Sequence, residues 1–541
     1  MKISIAQINP TVGDVPENLK KILTHLEQAK REKADWILFP ELALVGYPPR
    51  DLLDFPRLGK ENEEALEQIK KSSSGIGVIV GALRKNAFPS GKKFFNSAFV
   101  FRDQKLLFAY DKRLLPSYDV FEDERYFEKG THSGVFDCDG KKYGVAICED
   151  VWNQAEFLER PYEQDPLRDL EGKSLEALFI LSASPFDLHK GDLRAKLLAQ
   201  IARKLQAPIF YCNQVAGNDE LLFDGASLIV NEAGQLERLL PAFKETLEFW
   251  EPQANPLPQN ERSEEKNLFE ALSFGLRDYV LKSHQKKICL GLSGGIDSSV
   301  AAVLAVEAVG KENVMGVSLP SRFTSSASRE DAKTLAARLG IEFQEFDLEP
   351  VFSSFEKVLA PLNPQGLTLE NIQPRIRMTL LKAISNQKGM LLMNTSNKSE
   401  IATGYSTLYG DSAGALAPLG DLLKNQVRAL AMWMNRGSEI VPHRVIERAP
   451  SAELRPDQKD EDTLPPYSIL DPLVQAFVEK QQDSKALDPQ DYSPKWVDLF
   501  RKLYGQSEYK RRQMPPVLRV SEKAFGMGRR MPLACRNPSD K

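Results

Sequence analysis

Cysteine and histidine are scarce in this chain, with five of each among 541 residues. The cysteines (Cys138, Cys148, Cys212, Cys289 and Cys535) are scattered, odd in number and without a CxxC pair, and the histidines show no HxxxH or HExxH spacing. That argues against a disulfide scaffold or a zinc centre and makes the reducing cytoplasm the expected compartment. An excess of basic charge is also missing: 71 Lys and Arg face 75 Asp and Glu, a net charge of −4. No global field therefore points to nucleic acid. No apolar run approaches the roughly 18 residues that would span a bilayer. The first residues, MKISIAQINPTVGD, break too early into polar sequence for a secretory signal. Neither a membrane nor a nucleic-acid partner is expected. The GxxxxGK[ST] loop of kinases and motor ATPases does not occur.

With 42% hydrophobic and 27% charged residues the chain reads as globular, and its length exceeds a single core. Short apolar runs with strand character recur at 3–8, 36–40, 76–83, 97–101, 106–110, 143–148, 177–182, 209–213 and 226–230. Helical patterns lie between some of them, as at 18–30 with Leu19, Ile22, Leu23 and Leu26 on one face. This is the pattern of a layered α/β domain, placed at 1–245. The sequence EPQANPLPQNERSEEKN then marks a linker, placed at 246–267. A second α/β pattern occupies 268–541: helix 268–283, strand 287–292, helix 299–309, strand 313–318, helix 326–339, strand 341–346. That order implies a doubly wound parallel sheet with a loop at the carboxyl end of its first strand.

The loop reads SGGIDSS, residues 293–299. A strand, a glycine turn and a helix N-terminus present backbone N–H groups and a positive dipole end, which suits phosphate. In the first domain three reactive residues each follow an apolar run: Glu41 in WILFPELALVGYP, Lys112 in LLFAYDKRLLPSYD and Cys148 in YGVAICEDVW. Residues at strand ends converge on one rim of a sheet. A thiolate, a proton-moving carboxylate and an oxyanion-stabilising ammonium complete a set for amide hydrolysis through a thioester. Singly, each has a plainer reading as a cap, a solvated charge or a small core residue.

In this order the three contexts resemble the Glu-Lys-Cys triad of the nitrilase superfamily, which implies an αββα sandwich over about residues 1–240. SASPFDLHK (182–190) resembles the glutamine-binding part of glutaminase members, implying that Tyr118, Ser184 and Lys190 hold the substrate's α-amino and carboxylate groups. Members of that superfamily usually carry a second glutamate near the lysine. Here the stretch reads FEDER, leaving Glu122, Asp123 and Glu124 open for that role.

SGGIDSS resembles the pyrophosphate loop of N-type ATP pyrophosphatases, the adenine nucleotide alpha hydrolase-like fold. The downstream pieces ENIQPRIRM (370–378), NTSNKSE (394–400), YGD (409–411), PSAELR (450–455) and YKR (509–511) resemble, in that order, the NAD synthetases. The resemblance implies ATP contacts at Gly291, Ser293, Gly294, Gly295, Asp297, Ser298, Ser299, Thr395, Lys424 and Ser451. It implies Mg²⁺ on Asp297 and Glu400, and contacts of Asn371, Arg375, Glu400 and Lys510 with a deamidated dinucleotide. It further implies a homo-oligomer. Ammonia-dependent relatives have a lysine eight positions after the Mg²⁺ glutamate, where this chain has Leu408. The fusion implies ATP-dependent amidation fed by glutamine. The rival expectations are another amidotransferase on the same ATP loop and a binding protein with a silent nitrilase fold. The stretch 452–466 reads equally as a mobile lid or an irregular surface loop.

Overall fold

A computed structural model describes residues 1–154, 162–252, 263–482 and 492–534. The chain divides into two compact units, 1–261 and 262–541.

The first unit is built on two six-stranded sheets. One runs in the order Thr246–Trp250, Ile3–Gln7, Trp36–Leu38, Gly77–Lys85, Phe94–Arg102, Lys105–Asp111. The other runs Leu236–Leu239, Leu228–Val230, Ile209–Asn213, Ala177–Ser182, Lys141–Ile147, Val135–Cys138. In each, three parallel strands are flanked by antiparallel ones.

Alternation along the strands builds the layers. Ile3, Ile5, Trp36, Leu38 and Ile79 face Val145, Ile147, Phe179, Leu181 and Phe210 in a core between the sheets. Residues of opposite parity, such as Ala6, Ile37 and Val78, meet Ile22 and Leu26 of helix Val15–Arg31 and Leu66 and Ile69 of helix Pro56–Ser72. On the far side Leu178, Ile180 and Tyr211 meet Leu197, Leu198 and Ile201 of helix Lys190–Leu205. The unit is therefore the expected αββα sandwich. Helix Val15–Arg31 starts where the Asp14 side chain accepts from the Glu17 amide, with Lys30 and Arg31 in its last turn, so both ends complement its dipole.

The linker placed at 246–267 needs correction at both ends. Residues 246–250 form the edge strand that pairs with Ile3–Gln7, and helix Glu264–Lys282 begins before 268. The edge strand is half-exposed along most of its length, so it carries no continuous apolar run to announce it. Ser263 caps the helix by accepting from the Lys266 amide. The middle of that linker, 253–262, lies outside the described residues.

The second unit centres on a four-stranded parallel sheet in the order Glu342–Glu345, Val314–Ser318, Ile288–Gly291, Leu391–Leu392. Helices Glu349–Leu359 and Leu367–Lys388 cover one face, with Phe352, Ile372 and Ile376 against Cys289, Met315, Val317 and Leu392. Helices Ile296–Val309 and Ser326–Leu339 pack together on the other. The strand order reverses between Ile288–Gly291 and Leu391–Leu392, a switch point where open α/β sheets take their ligands. No helix among the described residues is long and apolar enough to cross a membrane.

Candidate active sites

Three strand ends of the first unit deliver Glu41, Lys112 and Cys148 to one buried point. The Lys112 ammonium lies 2.7 Å from Glu41 Oε1 and 2.6 Å from Asp123 Oδ2. Glu41 is oriented by the Asn96 amide on Oε1 (2.7 Å) and the Ala183 N–H on Oε2 (2.9 Å). The open question among Glu122, Asp123 and Glu124 resolves to Asp123. It is buried at the start of the short helix Asp123–Tyr126, and its other oxygen accepts from the Tyr47 hydroxyl at 2.8 Å. Burial alone would depress the lysine, but Asp123 and Glu41 outweigh it and hold the ammonium well above its usual value.

Cys148 directly follows strand Lys141–Ile147 at a positive φ of 42°, a conformation that turns its side chain out of the strand direction. Asp150 braces the turn by accepting from the Ile147, Arg113 and Leu114 amides. Burial first, then Glu41, pushes the thiol up to about 12, against the opposing pull of Lys112 and the Ser182 hydroxyl. The thiol is thus protonated at rest, and a base must take its proton as it attacks.

Beside the thiol a second pocket wall forms. Glu149, absent from the sequence-based set, is buried and accepts from the Tyr118 hydroxyl (3.0 Å) and the Tyr162 hydroxyl (2.9 Å). Burial raises its carboxyl, while Lys112, the two tyrosines and Lys190 lower it. Lys190 lies 5.9 Å from the Phe121 ring and 5.5 Å from that of Trp152. Ser184, held through its N–H by Asn213 Oδ1, has a fully buried hydroxyl oxygen without a partner. Tyr118 and Lys190 thus lie near Glu149, a buried carboxyl that the sequence-based set lacked, and Ser184 is fixed by Asn213. The place of Glu149 next to Cys148 was the available signal.

In the second unit a cavity of about 320 Å³ opens at the switch point. Gly291, Ser293, Gly294, Gly295, Asp297, Ser298, Thr395, Glu400, Lys424 and Ser451 all line it. Helix Ile296–Val309 starts three residues earlier than the pattern indicates, so Asp297 and Ser298 lie in its first turn. Gly294 has φ 79°, and a Cβ there would stand 2.1 Å from Ser328 O. Ser299 does not line the cavity, because its hydroxyl donates to Gly295 O at 2.8 Å.

Lys424 Nζ lies 2.5 Å from Asp297 Oδ2 and 3.4 Å from Glu400 Oε1. Asn397 fixes both carboxylates: its amide donates to Asp297 Oδ1, and it forms a capping box with Glu400. Burial and then the Asp297 charge push the Glu400 carboxyl up, with Lys424 opposing. Asp297 and Glu400 thus bring carboxyl oxygens from two helices to one edge of the cavity. The donor set fits Mg²⁺, which takes one or two carboxylates and completes its shell from phosphate and water. Among the described residues no group of three or more His, Cys, Asp or Glu is placed to hold a metal ion.

Asn371, Arg375 and Lys510 do not line that cavity but gather around residues 404–411. Asn371 Oδ1 accepts from Thr407 Oγ1 (2.7 Å), Arg375 Nε donates to Leu408 O (3.1 Å), and Lys510 Nζ donates to Gly404 O and Ser406 O. Leu408 thus contributes its carbonyl, and Lys510 brings an ammonium to the same segment. Ala452, Glu453 and Leu454 line the cavity. There the segment is held by Glu453 on the Ser328 hydroxyl and by Gln373 on Leu454 O. Arg377 and Arg448, not foreseen, also line the cavity.

The family model for carbon-nitrogen hydrolases matches residues 2–249 and that for NAD synthase matches 268–515. The glutamine-dependent NAD(+) synthetase of Synechocystis sp. is 42% identical, covering 98% of each chain, and that of Acinetobacter baylyi is 38% identical, also over 98% of each. Among solved structures, the glutamine-dependent NAD+ synthetase from Acinetobacter baumannii in complex with adenosine diphosphate has 34% identity, a TM-score of 0.78 and 98% coverage of both chains. The one from Cytophaga hutchinsonii, at 22% identity and a TM-score of 0.83 over 98% of this chain and 97% of its own, shares the fold. A thiol site in one unit, a phosphate loop in the next and end-to-end relatives of the same composition agree: the chain belongs to the glutamine-dependent NAD(+) synthetases.

Proposed function

We propose that the first unit hydrolyses glutamine and the second uses the ammonia to convert deamido-NAD (nicotinic acid adenine dinucleotide) to NAD, the final step of NAD biosynthesis. Glu41 takes the Cys148 proton as sulfur attacks the glutamine amide, and Lys112 stabilises the oxyanion. Glu41 then protonates the leaving ammonia, and water hydrolyses the thioester. Glu149 pairs with the substrate's α-ammonium, with Tyr118 and Tyr162 fixing it, while Lys190 and the Ser184 hydroxyl serve the α-carboxylate.

In the second unit the N–H groups and hydroxyls of Ser293 to Ser298 cradle the ATP phosphates. Thr395, Lys424 and Ser451 complete that wall. Asn371, Arg375 and Lys510 hold the dinucleotide. Its carboxylate attacks the α-phosphate, releasing pyrophosphate and leaving an acyl-adenylate; ammonia then displaces AMP. Asp297 and Glu400 would hold Mg²⁺, which would neutralise charge on the phosphates. We place the enzyme in the cytoplasm as a homo-oligomer.

The observation that carries this reading is the coexistence, on one chain, of a buried thiol beside Glu41 and Lys112 and a phosphate loop facing paired carboxylates. The test is Cys148→Ala. Synthesis from glutamine is expected to vanish while synthesis from ammonium salts persists. Equal loss of both would mean that Cys148 is structural.

A further inference from the structure

Beside Cys148 lies a pair of hydroxyls that the mechanism above does not use. Ser182 ends strand Ala177–Ser182 and Tyr211 lies on the adjacent strand Ile209–Asn213; both are fully buried. Ser182 Oγ donates to Cys148 Sγ at 3.3 Å and lies 2.6 Å from Tyr211 Oη. A serine hydroxyl has one proton. When that proton points at sulfur, the short contact to Tyr211 is made by the phenol's proton, and the hydroxyls then run from tyrosine to serine to sulfur. Arg194, paired with Asp224 and fully buried, stands 5.5 Å from the Tyr211 ring, where its charge strengthens the phenol as a donor.

Charge at the site explains the need. Around sulfur stand Glu41, Lys112 and Glu149, with Tyr118, Tyr211 and Arg194 farther out. The single ammonium of Lys112 is already matched by Glu41 and Asp123 at 2.7 and 2.6 Å. As Glu41 takes the proton it becomes neutral, so the forming thiolate shares Lys112 with Asp123, and a neutral donor aimed at sulfur adds to that one cation.

We propose that the Tyr211–Ser182 hydroxyl pair is the positioning device of the glutaminase nucleophile: it fixes the direction of the Cys148 side chain and stabilises the thiolate as Glu41 takes the proton. This rests on the glutaminase reading. The same Ser182 contact leaves the substrate cradle alone, so its loss is felt in turnover rather than in glutamine binding.

The test uses the full-length enzyme with Ser182→Ala, Ser182→Thr and Tyr211→Phe. Iodoacetamide alkylation is followed on the peptide carrying Cys148 between about pH 7 and 9, where only the thiolate reacts. Loss of the donor makes the thiolate scarcer by about tenfold but more nucleophilic, so alkylation of Ser182→Ala is expected to slow by roughly threefold at every pH. Turnover of glutamine falls by about tenfold with KM within twofold, and synthesis from ammonium stays at the wild-type rate. Tyr211→Phe moves both readouts in the same direction by less, and Ser182→Thr, which keeps the hydroxyl, restores them. Wild-type alkylation and turnover in Ser182→Ala overturn the proposal, as does a loss confined to KM. If Ser182→Ala fails to fold, Tyr211→Phe, which removes one oxygen, decides alone: unchanged alkylation and turnover overturn the proposal. Survival of glutamine use in Cys148→Ala would instead overturn the glutaminase reading itself.

Discussion

Glu149 shows how much a single buried charge constrains a binding site. Burial raises its carboxyl above the usual range, with Lys112, the two tyrosine hydroxyls and Lys190 opposing that shift. A glutamine analogue without the α-ammonium would leave that charge unmatched, and removing the charge leaves the ammonium without a partner. Charge-assisted hydrogen bonds contribute about 1.5–3 kcal/mol, so Glu149→Gln is expected to raise KM for glutamine roughly tenfold to a hundredfold with kcat within a few-fold. Steady-state glutaminase kinetics check it; a fall in kcat at constant KM would place Glu149 in the chemistry instead. The triad was legible because each member follows an apolar run and each residue type is chemically distinctive. Asp123 was not: three acids stand in a row there, and only the short helix Asp123–Tyr126 decides which one turns inward. Glu149 escaped for a similar reason, since its role depends on two tyrosines brought from 31 and 13 residues away.

Among elements, the strand–loop–helix at Ile288–Gly291 and Ile296–Val309 was the most legible, and its glycines are not equivalent. Gly294 combines φ 79° with a Cβ position 2.1 Å from the Ser328 carbonyl oxygen, so two backbones would have to part. Gly295 has φ −88°, and a Cβ there would meet only the Ser293 hydroxyl, at 3.2 Å. Strain of this kind costs on the order of 1–3 kcal/mol, and here it falls on the loop that faces the phosphates. Gly294→Ala is expected to raise KM for ATP by tenfold or more and to lower the melting temperature, with Gly295→Ala milder in both. Matching effects in the two variants would disprove the distinction. Elements missed by sequence share a weak signal. Strand Thr246–Trp250 is half-exposed and runs into a proline-rich stretch, and the hairpin Val215–Asn218 with Leu221–Asp224 turns on only two residues, Asp219 and Glu220.

At the scale of the whole chain, two chemistries meet in one product, and the nitrogen source separates them. Asp297→Asn removes a carboxylate that faces the phosphate loop, so no acyl-adenylate forms for ammonia to attack. Product should disappear with glutamine and with ammonium alike, while glutamine hydrolysis measured alone survives; normal pyrophosphate release by this variant would sink the metal assignment. The pH dependence of the intact enzyme sharpens the contrast. Ammonium salts supply the nucleophile only through their neutral fraction, which is small at neutral pH and grows about tenfold per unit until the ammonium titrates. Synthesis from ammonium below saturation should therefore climb steeply with pH. Glutamine delivers nitrogen that is neutral at the instant of release, because Glu41 returns a single proton to it. If that ammonia reaches the adenylate without equilibrating with water, synthesis from glutamine lacks the steep climb. Glutamine labelled in its amide, offered with excess unlabelled ammonium, should then leave its label in the product at every pH. Dilution of the label to the bulk ratio, together with coincident pH profiles, would show that the released ammonia passes through solvent and that fusion of the units serves only their joint synthesis.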